Sequence, residues 1–225
     1  MNDSTPDLKV ILANTSMYSM LDGSQLDQIL DHTSSIRVRP NCSIVNQGDV
    51  AKGAFWLVYG QVKIVLRSRQ GSEKTLEILG ASSCFGLSEM LLEQPHLAIV
   101  KATADSLLLH VERDVILHIA SRNFDFAREL MSCVGRQFYS LVRDIETYSQ
   151  SARLRLADYL LRQNGREPCQ VFRLVANKAL VASRLSLTPE TLSRLFHDFS
   201  EEGLIEVSGR QITLLDRDKL ALLLE

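Results

Sequence analysis

From Phe124 onward the apolar residues fall at Phe124, Ala127, Met131, Val134, Phe138, Leu141, Ile145 and Tyr148, with intervals of 3, 4, 3, 4, 3, 4 and 3. That is a hydrophobic repeat of about 3.5 residues, the period of a helix that lays a narrow seam against another helix. A helix that packs only on its own domain carries a broader apolar stripe. The flanks are polar: Arg128, Glu129, Arg136, Gln137, Arg143 and Asp144. The seam predicts a parallel helix pair, and so a homodimer joined through these eight residues. It also divides the chain into residues 1–123, a dimerisation helix over 124–150, and residues 151–225.

The two flanking parts differ in texture. Residues 7–35 read as short helices, and "DGSQLDQILDHT" opens on an Asp/Ser capping signal. Between 36 and 112, the runs "SIRVRP", "FWLVYGQVKIVLRS", "KTLEILG" and "ADSLLLHVE" are β-rich and are broken by glycine-bearing turns. Short strands so closely spaced suggest a small antiparallel barrel or sandwich. "VKIVLRSRQGSEKTLEIL" reads as a hairpin turning at Gln70-Gly71, and Gly60 as a second turn.

After the seam, "ARLRLADYLLRQNG" is an amphipathic helix that stops at Asn164-Gly165, and "CQVFRLV" is a short strand. "NKALVASRLSLTPETLSRLFHDFSEEGLIEV" reads as helix, tight turn, helix and strand, and "SGRQITLLD" closes a hairpin. Two helices and a wing describe a winged helix-turn-helix, which binds double-stranded DNA. The second helix begins well: Thr188 suits the N-cap and Pro189 the first turn. With Leu192, Leu195 and Phe196 turned inward against Leu180, Val181 and Leu185, the outward residues are Glu190, Ser193 and Arg194. An arginine there can grip guanine O6 and N7, a glutamate can accept from cytosine N4, and a serine can reach base or backbone. Thr188, Lys178 and Arg210 are candidate phosphate contacts. The fold class is thus α+β: an N-terminal β-barrel, a long helix and a C-terminal winged helix-turn-helix.

Charge neither announces nor excludes this. The net formal charge is −2; residues 1–150 carry 14 basic and 17 acidic side chains, −3, and the remainder 11 and 10, +1. The four cysteines, Cys42, Cys84, Cys133 and Cys169, form no CxxC pair, which sets aside zinc-finger and thioredoxin-like spacings and fits reduced thiols. No basic stretch followed by an apolar run opens the chain, and no run is long enough to span a bilayer, so a soluble cytoplasmic protein is expected.

These motifs resemble the CRP/FNR-type transcription regulators over nearly the whole chain. The marks are "VNQGD", "YGQVKIVLRSRQGSEKTLEILG", the long helix, and "LTPETLSRLFHDFSEEGLIEVSGRQITLLD". Glu190-x-x-Ser193-Arg194 matches the E-x-x-S-R of the FNR branch, where CRP carries glycine in place of the serine. The resemblance implies an effector-sensing, cyclic-nucleotide-binding-like barrel, a palindromic TTGAT-like site, RNA polymerase as a partner and no enzymatic activity. Within the family the chain is most similar to the DNR-type regulators of denitrification and nitric-oxide response.

The effector can be narrowed residue by residue. Cyclic-nucleotide binders carry a glycine–glutamate cassette followed by Arg-Ser/Thr-Ala. Here "FGLSEMLLEQPHLAIVKA" keeps Gly86 and Glu89 but reads Leu97-Ala98-Ile99 where the arginine motif should stand, so cAMP is not expected. An iron–sulfur cluster is not expected either, because the first 41 residues contain no cysteine. The DNR resemblance implies haem b and a gas or other small-molecule effector. The pocket residues it points to are Gly86, Glu89, Met90, His96 and Leu97. The candidate axial ligands are His32, His96, His110 and His118, none marked by a motif, so the metal ligand stays unknown. A regulator with a purely structural barrel is the alternative. A cupin-like enzyme site would need converging histidines, and no HxH pair exists.

Overall fold

The first unit begins with two short helices, α1 (Leu8–Ala13) and α2 (Gly23–Asp31). The start of α2 is fixed by a capping box: Asp22 accepts from the Gln25 N–H at 2.8 Å, and the Gln25 side chain accepts from the Asp22 N–H at 3.3 Å. The strands follow as β1 (Thr33–Val38), β2 (Ser43–Val45), β3 (Gly53–Tyr59), β4 (Val62–Arg67), β5 (Glu73–Leu79) and β6 (Cys84–Phe85). After α3 (Leu87–Leu92) come β7 (Ile99–Ala102), β8 (Ser106–Glu112) and α4 (Arg113–Ala120). This computed structural model describes residues 8–13, 15, 17–68, 71, 73–148, 150–164 and 171–224. Gln70 of the expected hairpin turn lies outside them, while Gly71 adopts a φ of 85°.

Two four-stranded sheets build the barrel, in the orders β1-β8-β3-β6 and β2-β7-β4-β5. The strand pairs β1–β8, β3–β8, β3–β6, β2–β7 and β4–β7 are antiparallel, with Phe55 opposite His110 and Trp56 opposite Leu109. Side chains of a strand alternate between its two faces. Along β3, Phe55 and Leu57 enter one core cluster with Val62, Phe85, Val100 and Leu108. Ala54 and Trp56 enter another, with Leu109, Val111 and residues of the surrounding helices. Both faces of these strands are buried, which explains why "AFWLV" and "SLLLHV" read as nearly continuous apolar runs rather than as alternating ones.

The long helix α5 (Phe124–Tyr148) begins where the sequence places it. Asn123 caps it, its side-chain oxygen accepting from the Phe126 N–H at 3.0 Å. Phe126, Leu130 and Cys133 are buried against the barrel unit. On the other side Phe124, Met131, Phe138, Leu141 and Ile145 are 49–75% exposed. The Tyr148 side chain lies outside the described residues.

The second unit holds residues 139–225 together with Lys74–Ile78; the first holds 1–73 and 79–138. In the second, α6 (Ala152–Asn164), β9 (Val171–Arg173), α7 (Lys178–Arg184), α8 (Pro189–Glu201), β10 (Ile205–Ser208), β11 (Gln211–Leu214) and α9 (Arg217–Leu222) follow α5. The strands pair in the order β10-β11-β9. Val207 stands opposite Ile212, and the turn between them uses Gly209 at a φ of 62°. Leu156, Leu160, Val181, Leu192, Phe199 and Ile212 are among the fully buried residues of one core.

Candidate nucleic-acid interface and effector cleft

Two caps and one turn aim α8. Asn177 caps α7 by accepting from the Leu180 N–H at 2.9 Å. Ser186, at a φ of 54°, makes the tight turn, and Thr188 caps α8 by accepting from the Thr191 N–H at 3.2 Å. Leu192, Leu195, Phe196 and Phe199 are buried, so the rotation of the helix about its axis is fixed by packing. Among the residues left exposed are Glu190, Ser193, Arg194 and, one turn on, His197. Sequence reasoning missed His197, although its i+3 spacing from Arg194 was available.

A Glu190–Arg194 ion pair is not formed. The Glu190 carboxyl is held below the usual carboxylate range by its own backbone N–H and by the Thr188 hydroxyl. Among the described residues Arg194 has no ion-pair partner, so its guanidinium keeps its full set of donors. Lys178 lies 5.2 Å from the centre of the Phe196 ring. Arg210 is drawn into the fold: it donates to the Leu174 carbonyl at 2.8 Å and the Val175 carbonyl at 2.9 Å, tying the wing to the segment after β9. Nothing in the sequence showed that task, and it leaves Arg210 fewer donors for a phosphate than a freely extended side chain would have.

The last turns of α5 are bound by charge inside the second unit. Asp144 pairs with Arg162 at 3.0 Å and Arg184 at 2.5 Å, and Asp158 pairs with Arg162 at 2.6 Å and Arg143 at 3.4 Å. Asp144 is therefore no solvated flank of the seam. Its carboxylate is mostly buried, and loss of both arginines would leave that charge uncompensated.

In the first unit the structure brings Gly86, Glu89 and His96 together and adds residues not foreseen. His96 is only 5% exposed, and its ring lies 3.9 Å from Glu89. That histidine holds the Glu89 carboxyl below its usual range, against the opposing effect of burial. A Cβ on Gly53 would come within 2.1 Å of the Val111 carbonyl oxygen and 2.7 Å of the His110 Nε2, and one on Gly86, whose φ is 81°, within 3.2 Å of the His96 ring. Gly53 thus answers first to the close backbone of β8 and Gly86 to its left-handed conformation, and each also leaves room for an imidazole. His110 also packs on Phe55, with ring centres 4.7 Å apart. Burial lowers the His110 pKa, Glu112 opposes and nearby His96 adds to the lowering, so the environment favours the neutral ring.

Beside His110 lies a cavity of about 530 Å³ whose walls include Val50, Lys52 and Pro95, Arg113 paired with Glu93, and the carboxylates of Glu112 and Asp114. Two of the expected pocket residues are corrected. Leu97 is 70% exposed and gives an apolar ligand no enclosure, and Met90 is fully buried as part of the packed core. Of the four candidate axial histidines, His32 and His118 are exposed, with His32 held 2.9 Å from Glu112. Among the described residues no three His, Cys, Asp or Glu side chains are grouped to hold a metal ion, and no helix is long and apolar enough to cross a membrane.

Comparison with known proteins agrees with both halves of this architecture. Residues 35–123 match the model of the cyclic nucleotide-binding domain, and residues 154–223 that of the Crp-like helix-turn-helix domain. The electron transport regulator A of Shewanella oneidensis is 26% identical over 88% of this chain and 81% of its own length. The structure of FixK2 from Bradyrhizobium japonicum matches 85% of this chain and 96% of its own with a TM-score of 0.76 at 22% identity. DNR from Pseudomonas aeruginosa covers 96% of each chain, with a TM-score of 0.51 and 28% identity. Sensor domain, long helix and DNA-binding wing, in this order, make the chain a member of the Crp/FNR family of DNA-binding transcription regulators, which are not enzymes.

Proposed function

We propose that the protein acts as a homodimer that reads a palindromic, TTGAT-like site in double-stranded DNA and works with RNA polymerase. The observation that carries the reading is the pairing of two exposed faces of opposite character. On α8 a polar face, Glu190, Ser193 and Arg194, stands on a fully packed core. On α5 an apolar face, Met131, Phe138, Leu141 and Ile145, is left exposed by the described residues. Monomeric proteins rarely expose a contiguous apolar strip of this kind, whereas a twofold helix pair would bury it. A dimer in turn places two recognition helices roughly one helical turn of DNA apart. Competition binding at fixed salt, with TTGAT-type half-sites and single-base variants, tests the reading; equal affinity for all duplexes would overturn it.

For the effector, the reading that the DNR resemblance supports is haem b in the cleft beside His110, with no role for cAMP or an iron–sulfur cluster. Two features support it, the His110 imidazole facing a cavity within the ordinary size range for cofactors and Lys52, which could pair with a propionate; Arg113 is already paired with Glu93 and Asp114, and the carboxylates of Glu93, Glu112 and Asp114 on the same wall oppose a second propionate. The bound group supplies a gas-responsive iron. The chain would hold one ligand nitrogen, keep it deprotonated through burial, and pair one carboxylate. An effector shifts the DNA-competent state only as far as it binds that state better than the other.

The filled barrel interior favours a second reading, an effector-independent regulator: Phe55, Leu57, Val62 and Leu108 occupy it and are at most 8% exposed. Hemin titration separates the two. A Soret band that appears on titration and weakens in His110→Ala supports the haem reading; no band supports the structural barrel.

A further inference from the structure

Cys84 and Cys133 belong to none of the functions above. Cys84 sits on β6, Cys133 on the barrel side of α5, and their sulfur atoms are 2.9 Å apart. Both side chains are 8% exposed, enclosed yet not sealed from a small solute. The sulfurs are already nearer than two non-bonded sulfur atoms ordinarily approach, and a disulfide needs a further closure of only about 0.9 Å, to about 2.05 Å. Two thiolates alone do not make a metal site, and no third ligating side chain joins them among the described residues.

We infer that Cys84 and Cys133 form an oxidation site, a dithiol that a hydroperoxide converts to an intramolecular disulfide. Cys133 is the attacking sulfur. Hydrogen bonding from Cys84, and secondarily the neighbouring Arg136, bring its thiol down to about 7 against the opposing effect of burial, so that about half is thiolate at neutral pH. The Cys133 thiolate attacks the terminal peroxide oxygen; the S–O bond forms, the O–O bond breaks, and hydroxide, or alkoxide from an alkyl hydroperoxide, leaves and takes up a proton. The Cys84 thiol then attacks the sulfenic sulfur; the S–S bond forms, the S–O bond breaks, and the oxygen departs as water with the Cys84 proton. Two thiols are oxidised by two electrons in all, and one hydroperoxide is reduced to two waters or to water and an alcohol. The Gln137 side chain, which donates to the Cys84 carbonyl at 3.1 Å, already ties β6 to the same face of α5. The bond makes that tie covalent, behind the exposed helix face that carries Met131.

The test uses the full chain with Cys42→Ser and Cys169→Ser, leaving only the pair, and hydrogen peroxide as the oxidant. Peptide mass spectrometry without reduction should find Cys84 joined to Cys133 within one chain, with both thiols lost together and restored by dithiothreitol. In the unsubstituted chain this link should form before the exposed Cys42 is oxidised, because the second sulfur already stands 2.9 Å from the first. Cys84→Ser should stop the reaction at a Cys133 sulfenic acid that dimedone traps. Two thiols still titratable after excess peroxide, a disulfide joining two chains, or Cys42 consumed first would each overturn the inference.

Discussion

Helices α5 and α8 each turn one face into a core and leave the other exposed, but they leave opposite chemistries outside. On α8 the buried Leu192, Leu195, Phe196 and Phe199 hold a polar face whose arginine has no ion-pair partner among the described residues. On α5 the buried Phe126, Leu130 and Cys133 hold a face on which Met131, Phe138 and Ile145 are 61–67% exposed. A polar face on a rigid support suits a partner that offers hydrogen-bonding edges. An apolar face suits a partner that also loses by staying in water, and a second copy of the same helix is one. If this difference is real, charge placed on one face and truncation of the other must fail in different ways.

The largest effect is expected for Ile145→Asp. In a symmetric seam the change occurs twice, removing two buried isoleucines and opposing two carboxylates, a loss of about 5 kcal/mol or more of dimer stability. Sedimentation should show monomers, and operator binding should vanish while the fold of each unit persists by circular dichroism. An intact dimer would mean that the exposed apolar residues of α5 serve something else. Phe199→Ala acts from the inner side of α8. Fully buried, with Arg153 stacked 4.8 Å from its ring centre, this phenylalanine should cost about 3–5 kcal/mol in the second unit and leave the dimer alone. Denaturant unfolding of a chain that remains dimeric reads it. Loss of the dimer at the same denaturant concentration would show that the two faces are not separable.

Arg194→Ala is a smaller and more pointed change. Removing one bidentate contact should cost about 1–3 kcal/mol and relax the preference at a single guanine. Lys178→Ala, by contrast, should weaken all sequences alike and lower the salt slope by about one, as a phosphate contact does. If Arg194→Ala also weakens every duplex equally, the base-reading role assigned to this face is wrong.

The two helices also differ in how much of them the sequence discloses. Nearly all of α8 is legible because its signals are local: Thr188, Pro189, the inward leucines and the outward Glu190, Ser193 and Arg194 lie within a few residues of one another. The a/d seam of α5 is legible for the same reason. Its other face is not, because each residue there answers to a partner distant in the chain. Gln137 reads as a solvated flank but donates to Cys84, and Asp144 reads likewise but pairs with Arg162 and Arg184. The cleft residues were hidden in the same way. His96 and His110 approach only through the fold, and the chief reason for Gly53, the close Val111 carbonyl oxygen, appears only once β3 lies against β8. Arg210 was expected at a phosphate, but its bonds to the Leu174 and Val175 carbonyls depend on a wing geometry that composition does not encode.

The smallest expected effect falls on the N-cap that connects the inside and the outside of α8. The Thr188 oxygen accepts from the Thr191 N–H at 3.2 Å, and the same hydroxyl helps hold the Glu190 carboxylate at the start of the helix. Thr188→Ala removes that acceptor and should cost about 1 kcal/mol of stability in the second unit. Thr188→Ser keeps the oxygen and should recover most of it. The effect on DNA should be indirect: with the first turn frayed, Glu190 is less well placed, so affinity falls modestly and the base preference at the position read by Arg194 is kept. Denaturation of both variants, beside the duplex competition used for Arg194→Ala, decides the matter. If Thr188→Ala leaves stability unchanged but lowers affinity by as much for every sequence as Lys178→Ala does, the hydroxyl is a phosphate contact rather than a cap. The polar face of α8 would then begin one residue before the helix itself.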